Sequence, residues 1–192
     1  MSNRLTKIYT RSGDQGDTGL ANGSRINKSS LRIETLGTVD ELNSWIGIAL
    51  SNINQSALAP TLRNIQHQLF DLGGEIAVSD TDYRVIDKSD IDCLEQRLDH
   101  FNEKLPALEE FILPGGSTEV CNIHLARTVC RRAERVIIAL NLSDSETVNP
   151  YAIAYLNRLS DLLFVAARFL AAEKGEGEVL WKPKTNRKTT ER

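Results

Sequence analysis

Residues 10–28 combine glycine, hydroxyl-bearing and cationic side chains in a way that can hold phosphate groups. Four glycines alternate with threonine, serine and aspartate through this stretch, and Arg11, Arg25 and Lys28 add positive charge. Such a segment can direct backbone N–H groups and cations at a polyphosphate. No Gly-Lys-Ser/Thr sequence follows, so it is not a Walker A loop. Taken alone, the segment fits a flexible N-terminus as well as a phosphate-binding loop.

A second set of polar side chains recurs at steps of three and four residues. Its members are His124, Arg127, Arg131, Glu134 and Arg135, a spacing that puts them on one face of a helix. A solvated face with ion pairs among Arg131, Glu134 and Arg135 explains this pattern. Because the rest of the predicted helices is very apolar, we favour a charged stripe that lines a cleft.

The last predicted helix carries a comparable polar stripe. Asn157, Asp161, Phe164 and Arg168 recur at steps of four, three and four residues, so the two stripes can face each other. Asn157 fits a hydrogen-bonded interior amide. An amide and carboxylates beside arginines also suit a nucleotide with its metal ion.

Helices must position these side chains, because apolar residues recur at helical spacing through most of the chain. Five helices are predicted: one with Leu36, Val39, Ile46, Leu50 and Ile53, interrupted by Asp40 and Asn43; one from about Leu58 to Ile76; one that begins at Ser89 with Asp92 as its capping partner; one from about Ser117 to Leu142; and one capped by Asn149 and Pro150. Short connections and no convincing strand alternation predict an all-α, antiparallel five-helix bundle.

The composition suits one compact domain, with 41% hydrophobic and 26% charged residues and a net charge of −3. We predict a single domain over residues 1–181 and a basic, disordered tail over residues 182–192. The body without this tail is acidic, so we expect no binding to nucleic acid. The sequence has neither a long apolar run nor a signal peptide, and we expect a cytoplasmic protein without membrane association.

The cysteines and histidines favour neither a disulfide framework nor a metal site. The cysteines are odd in number and form no Cys-x-x-Cys pair, so we expect reduced, mostly buried thiols at Cys93, Cys121 and Cys130. The three histidines have no second ligand at metal spacing. No Glu-x-x-His pair occurs, and this argues against a di-iron bundle.

Five stretches of the chain resemble, in order, the successive motifs of the PduO-type ATP:cob(I)alamin adenosyltransferases. They are residues 7–18 (KIYTRSGDQGDT), 37–43 (GTVDELN), 111–116 (FILPGG), 127–135 (RTVCRRAER) and 155–161 (YLNRLSD). Order and spacing agree from Lys7 to about Trp181, so the resemblance omits only the basic tail. Ser12 departs from the family's usual threonine but keeps the hydroxyl, so we expect a small effect on phosphate contacts.

The resemblance implies a ferritin-like, homotrimeric five-helix bundle with a glycine-rich phosphate-binding loop, which binds ATP between neighbouring subunits. It implies transfer of the 5′-deoxyadenosyl group of ATP to the cobalt of cob(I)alamin, a step of cobalamin biosynthesis. The implied ATP-binding residues are Thr10, Arg11, Ser12, Gly13, Thr18, Gly19 and Lys28 in the loop, with Arg131, Arg132, Glu134, Arg135 and Asn157 on the helices. Mg²⁺ is implied to be bound mainly through ATP, with Glu134 as the candidate protein ligand.

On the corrinoid side, the resemblance implies that Arg127 pairs with Asp40 of a neighbouring subunit. It also implies that Phe111 presses on the lower face of the corrin and keeps an axial ligand off the cobalt. Arg131, Phe111 and Asn157 are the implied catalytic residues. Without the resemblance, Phe111 fits ordinary core packing. The implied partners are a reductase or a cobalamin-dependent enzyme that receives the product.

Two rival interpretations come from other functional classes. A nucleotide-binding helical module without turnover shares the basic stripe, but it does not require Phe111 at a corrin-sized cleft. A purely structural bundle has no ligand, so ATP would not raise its melting temperature.

Overall fold

The computed structural model describes residues 9, 11–53, 55–78, 83–143 and 148–186. Within these ranges there are five α-helices: α1 (Leu31–Leu50), α2 (Ala59–Val78), α3 (Lys88–Asn102), α4 (Thr118–Asn141) and α5 (Pro150–Glu173). A two-stranded antiparallel sheet of β1 (Asp17–Gly19) and β2 (Arg25–Asn27) precedes them, and one short 3-10 helix (Lys184–Asn186) follows. The predicted five-helix fold is confirmed.

Helices α1 and α2 pack against each other in opposite directions. Arg32 at the start of α1 donates a hydrogen bond to the carbonyl of Ile76 near the end of α2. Further along, the side chains of Asn43 and Gln66 each donate to the other residue's backbone carbonyl, at 3.1 and 3.2 Å. The amide that interrupts the apolar stripe of α1 therefore joins two helices.

Helix α5 lies between α4 and α3 and is the most deeply buried of the five helices. It runs antiparallel to α4, since Glu119 near the start of α4 binds Lys174, which follows α5. It runs in the same direction as α3: Arg158 binds Glu95, and later the rings of Phe169 and Phe101 are in contact, tilted by 52° with centroids 4.8 Å apart. The polar stripe on α5 therefore runs from Asn157 and Asp161, which are exposed, to Arg168, which is buried.

The predicted start of α3 is wrong by two residues. Asp87, not Ser89, is the N-cap: its carboxylate accepts the backbone N–H of Ser89 at 2.7 Å. Asp90 completes a capping box by accepting the N–H of Asp87 at 3.0 Å. Asp92 instead forms an ion pair with Lys88. Several potential capping residues lie within one turn here, so the pattern alone could not select among them.

Two other helix starts can be compared with the sequence. Asn149 caps α5 as predicted, because its side chain accepts the N–H of Tyr151 at 3.0 Å and Pro150 opens the helix. Helix α1 begins at Leu31 rather than near Leu36, behind the N-cap Ser30. The apolar stripe missed this first turn because the residues buried there, Arg32 and Thr35, are polar.

The glycine-rich segment forms a β-hairpin, which the sequence analysis did not expect. The strands pair over three residues each. Gly16 and Gly23 have φ angles of 91° and 85°, in the region that favours glycine, and so permit the turns. Ala21 donates a backbone hydrogen bond of 3.2 Å to Ala77 at the end of α2. The hairpin is thereby attached to the bundle.

The expectation of mostly buried thiols is wrong. Cys130 is buried, but Cys121 is only partly buried and Cys93 is exposed, and all three thiols are free. Burial raises the pKa of the Cys130 thiol, which is therefore protonated at neutral pH. Among the described residues, no helix is long and apolar enough to cross a membrane.

Candidate active site

A cavity of about 710 Å³ lies between α3, α4, α5 and the segment that carries Phe111. Polar residues of α4 and α5 reach it from two sides. Helix α3 contributes Leu98 together with the polar Glu95, Asp99 and Asn102. Its lining includes Phe111, Arg127, Arg131, Arg158, Asp161 and Phe164. Two members of each predicted stripe, Arg127 and Arg131 on α4 and Asp161 and Phe164 on α5, therefore share one cavity. His124 and Arg168 line a separate, smaller cavity.

The wall formed by α4 offers two guanidinium groups to a ligand. Neither Arg127 nor Arg131 forms a hydrogen bond or ion pair within the described part of the chain, and the Nε of half-buried Arg127 is enclosed without a partner. Burial first, and the charge of Arg131 second, lower the pKa of Arg127. By contrast, Arg158 binds Glu95 at 2.8 Å and Asp161 at 3.1 Å. An anionic ligand would compensate the α4 charges.

Residues at the C-terminal side of Arg131 divide between two faces of α4. The side-chain amide of Asn157 donates to Glu134 at 2.7 Å, and Asn157 is exposed, so it is not an interior amide. Arg135 is also exposed. Arg132 points toward α1 and forms an ion pair with Glu41. Glu134 thus bonds across to α5 instead of pairing with the arginines of its own stripe.

The hairpin groups most of the residues predicted to bind phosphate. The ammonium of Lys28 donates to the carbonyl of Gly13 at 2.9 Å, and the guanidinium of Arg25 donates to the carbonyl of Ser12 at 2.6 Å. A Cβ atom at Gly13 would lie 3.0 Å from the Lys28 nitrogen and 3.3 Å from the carbonyl oxygen of Asp17, so a larger residue would require these groups to move. The described predicted residues in the hairpin region are Arg11, Ser12, Gly13, Thr18, Gly19 and Lys28; Thr10 lies outside the described residues.

The predicted nucleotide-binding residues form two separate groups in this chain. One belongs to the hairpin, whose described backbone contact with the bundle is made to Ala77 of α2. The other group lies on α4 and α5, with Asn157 and Glu134 bonded to each other. Asp40 is exposed on α1 and forms no ion pair with Arg127 among the described residues.

Phe111 is 74% exposed at the cavity, which rules out the core-packing interpretation. Its backbone is held by residues that follow α5. The carbonyl of Phe111 accepts the N–H of Trp181 at 2.6 Å, and the N–H of Leu113 donates to the carbonyl of Val179 at 2.8 Å. We call residues 176–181 the C-terminal strap. Its role next to the Phe111 segment was not predicted.

A partly buried ion pair was not predicted from the sequence. Arg168 is 4% exposed and binds Glu178 of the strap at 2.7 and 3.2 Å. A buried arginine needs a charged partner, so the position of Arg168 within an apolar helix was an available signal. Nearby, His124 is buried with its Nδ1 unpaired among described residues. Burial and the charge of Arg127 lower its pKa, opposed by Glu178.

The model of the family described as cobalamin adenosyltransferase matches residues 8–170. The chain belongs to that family. This cobalamin adenosyltransferase family member is 50% identical over 182 residues to a cobalamin adenosyltransferase of Cupriavidus metallidurans, covering 94% of this chain and 97% of the other. It is 46% identical over 179 residues to a corrinoid adenosyltransferase of Bacillus subtilis, covering 90% and 91%. The family predicted from the five motifs is confirmed.

Solved structures agree with the family assignment. A variant PduO-type ATP:corrinoid adenosyltransferase from Lactobacillus reuteri, complexed with cobalamin and ATP, matches with a TM-score of 0.87 and 36% identity. The match covers 92% of this chain and 99% of the other. A further variant of that protein, complexed with ATP, matches with a TM-score of 0.85. The family match ends before the strap, and the predicted domain boundary at residue 181 stays a prediction.

Proposed function

We propose that this chain transfers the 5′-deoxyadenosyl group of ATP to the cobalt of cob(I)alamin, giving adenosylcobalamin and triphosphate. The observation that carries the proposal is the shared cavity of about 710 Å³, where the guanidiniums of Arg127 and Arg131, unpaired among the described residues, lie beside the exposed ring of Phe111. Cations suit the phosphates of one substrate, and an apolar ring suits the corrin of the other. The activity is that of the family to which the chain belongs.

The reaction needs orientation and charge stabilisation rather than a protein nucleophile. The electron pair of Co(I) attacks the ribose C5′ in line, the Co–C bond forms, and the C5′–O bond breaks. Triphosphate leaves with the bonding electrons. The protein therefore has to align two large ligands and stabilise negative charge on the leaving group.

We assign the triphosphate to Arg131 and Arg135 together with the hairpin residues. Arg131 is exposed and has no described partner within the chain, so its guanidinium is available to phosphate oxygens. The bonded pair of Asn157 and Glu134 offers donors and acceptors to the nucleoside. In the hairpin, Lys28 and Gly13 bring an ammonium and a glycine backbone together.

A magnesium ion fits this arrangement as a companion of the nucleotide. One oxygen of Glu134 accepts the Asn157 amide, and the other accepts no described hydrogen bond, which leaves one hard oxygen ligand. The described residues contain no cluster of three potential metal-ligating side chains. When bound, Mg²⁺ would neutralise phosphate charge, with the phosphates and water supplying most of its ligands.

On the corrin side, we assign Phe111 to the lower axial face. Its ring is largely exposed while its backbone is hydrogen-bonded on both sides, so the ring is presented to the cavity by a fixed loop. An apolar ring at this position excludes water or a base from cobalt. Removal of the lower ligand makes Co(II) easier to reduce to Co(I).

We further propose that the enzyme is a homotrimer with composite sites. The predicted hairpin and helix groups are separate in the chain, and Asp40 and Arg127 have no ion-pair partner among described residues. A neighbouring subunit could satisfy both. A reductase or a cobalamin-dependent recipient as partner, a cytoplasmic location and a place in cobalamin biosynthesis also remain proposals.

Reversing the charge of Asp40 tests the composite site. We expect Asp40→Lys to lower kcat by about 10-fold or to shift the trimer toward monomer, because a cation would face Arg127 across the boundary. The double variant Asp40→Arg with Arg127→Asp should recover part of the loss. Sedimentation velocity and steady-state kinetics report the two effects. Asp71→Lys, a reversal on the exposed face of α2, is the control, and a structure with Asp40 and Arg127 far from any neighbour would contradict the pairing.

The function itself is tested by mixing the protein, ATP and chemically reduced cobalamin. We expect the visible spectrum to change to that of an alkylcobalamin as the Co–C bond forms, with release of triphosphate. ATP binding without adenosylcobalamin would favour the nucleotide-binding module. No rise in melting temperature with ATP, together with no product, would leave a structural bundle.

A further inference from the structure

We propose that the ion pair of the buried Arg168 with Glu178 acts as a latch that positions Phe111 for its work on the corrin. The latch holds the C-terminal strap against the segment that carries this ring. The inference rests on the proposed function, because it assumes that Phe111 acts there. Arg168 and Glu178 are positioning residues, which act through the loop and do not need to touch either substrate.

The geometry of the pair is that of a rigid connection. Two nitrogens of the Arg168 guanidinium bind the two carboxylate oxygens of Glu178, at 2.7 and 3.2 Å. The Arg168 side chain is 4% exposed and that of Glu178 is 24% exposed, so water has little access to the guanidinium and partial access to the carboxylate. A two-point contact of this kind fixes orientation as well as distance. Because Arg168 belongs to the central helix α5, the strap is fixed relative to the core.

The same guanidinium also fixes the beginning of the segment that leads to Phe111. The Nη2 of Arg168 donates to the carbonyl of Pro106 at 3.0 Å. At the other end of this segment, the N–H of Ser117 donates to Glu176 of the strap at 2.8 Å. Residues 106–117 are therefore joined at both ends to groups on or next to the latch.

Between these ends, the strap pairs directly with the backbone around Phe111. The residue after Glu178 is Val179, whose carbonyl accepts the N–H of Leu113, and the N–H of Trp181 donates to the carbonyl of Phe111. Ile112 and Leu180 form the intervening β-bridge. Displacement of Glu178 would therefore disturb the hydrogen bonds that hold the backbone at Phe111 in place.

Phe111 depends on this support because its own side chain is poorly packed. With 74% of its surface exposed, the ring receives little restraint from the core. Its direction is set by the backbone on which it stands. If Glu178 loses its charge, Arg168 is left as a buried cation without a charged partner, and the strap can open to admit water. The loop would then lose its fixed position while the helices stay packed.

Hydrogen exchange of the ligand-free, full-length protein tests the latch without reference to catalysis. We expect Glu178→Gln to speed exchange of the amides of Leu113 and Trp181 by about 10-fold or more, since local opening controls their protection. Core amides of α1, such as that of Leu42, should be unchanged. The matched control is Glu119→Gln, which removes the ion pair with Lys174 at the end of α5. It should leave the Leu113 and Trp181 amides unaffected.

Kinetics then separate positioning from general stability. Starting from cob(II)alamin with a mild reductant, we expect Glu178→Gln to lower kcat by about 5-fold, and by less than about 2-fold when Co(I) is supplied, with KM for ATP unchanged. Arg168→Lys keeps the charge but not the two-point contact, so its kcat should also fall more from cob(II)alamin than from Co(I), but by a smaller factor. It also serves as the second variant if Glu178→Gln does not fold. Glu119→Gln should match the parent protein in both assays.

Unchanged exchange at Leu113 and Trp181 in both variants would overturn the latch, as would equal losses from Co(II) and Co(I). Failure of the proposed function looks different. In that case the parent protein itself would give no adenosylcobalamin from Co(I) and ATP, whereas the exchange experiment would still report on the latch.

Discussion

Replacement of Arg131 by alanine is expected to lower kcat/KM for ATP by about 100-fold to 1000-fold, the usual cost of removing a donor that stabilises developing charge. The side chain is exposed on the α4 wall of the cavity and has no described partner within the chain. Its removal should therefore break no contact of the folded subunit. Water is a poor substitute for the multiple, charged hydrogen bonds that a guanidinium makes to phosphate oxygens. Steady-state kinetics with varied ATP measure the effect.

The melting temperature distinguishes this loss from unfolding. We expect it to change by less than about 2 °C in the absence of ATP, because exposed substitutions away from packed groups have small effects. Arg63→Ala, at an exposed position on α2, is the matched control and should leave kinetics and melting temperature unchanged. Normal kinetic constants for Arg131→Ala with a normal melting temperature would remove Arg131 from the site.

Residue spacing predicted the helices and the parts of the polar stripes that line the cavity because both depend on local chain geometry. The steps of three and four that relate Arg127 to Arg131, and Asn157 to Asp161, fix a common helical face whatever the tertiary structure. The cap at Asn149 is equally local, since its side chain bonds a backbone group two residues away. The start of α3 was not resolved by the same reasoning, because Asp87 and Ser89 are both good capping residues.

Features that depend on distant partners were not accessible in this way. The hairpin strands are three residues long and polar, so they show no alternation that would reveal them. Arg168 was assigned to a polar stripe, but its partner Glu178 lies beyond the end of α5. The two side chains meet only because the chain turns back along the bundle after α5. The sequence likewise did not decide whether the side chain of Phe111 is buried or exposed. Residues 111–113 are all apolar, so the sequence does not show which of their side chains packs inward. In the structure Ile112, which forms the β-bridge with Leu180 of the strap, is the most buried of the three.

Replacement of Phe111 by alanine is expected to slow adenosylation by about 100-fold when the reaction starts from cob(II)alamin with a mild reductant. This corresponds to about 2.7 kcal/mol of lost stabilisation. The physical reason is that water or a base regains access to the lower face of cobalt, and Co(II) becomes harder to reduce. When Co(I) is supplied ready-made, that reduction is bypassed, so the loss should be below about 10-fold. KM for ATP should change little, because the α4 arginines are untouched.

The exposure of Phe111 makes this result separable from a packing defect. A buried phenylalanine replaced by alanine costs about 3–5 kcal/mol of stability, whereas the ring of Phe111 is 74% exposed and should contribute far less. Phe70 on α2 is 72% exposed and offers a matched control. Phe70→Ala should leave both the Co(II) and the Co(I) reactions unchanged. If Phe111→Ala lost activity equally from Co(II) and Co(I) and also melted at a much lower temperature, the ring would be a packing residue, and the exclusion of a lower cobalt ligand would need another side chain.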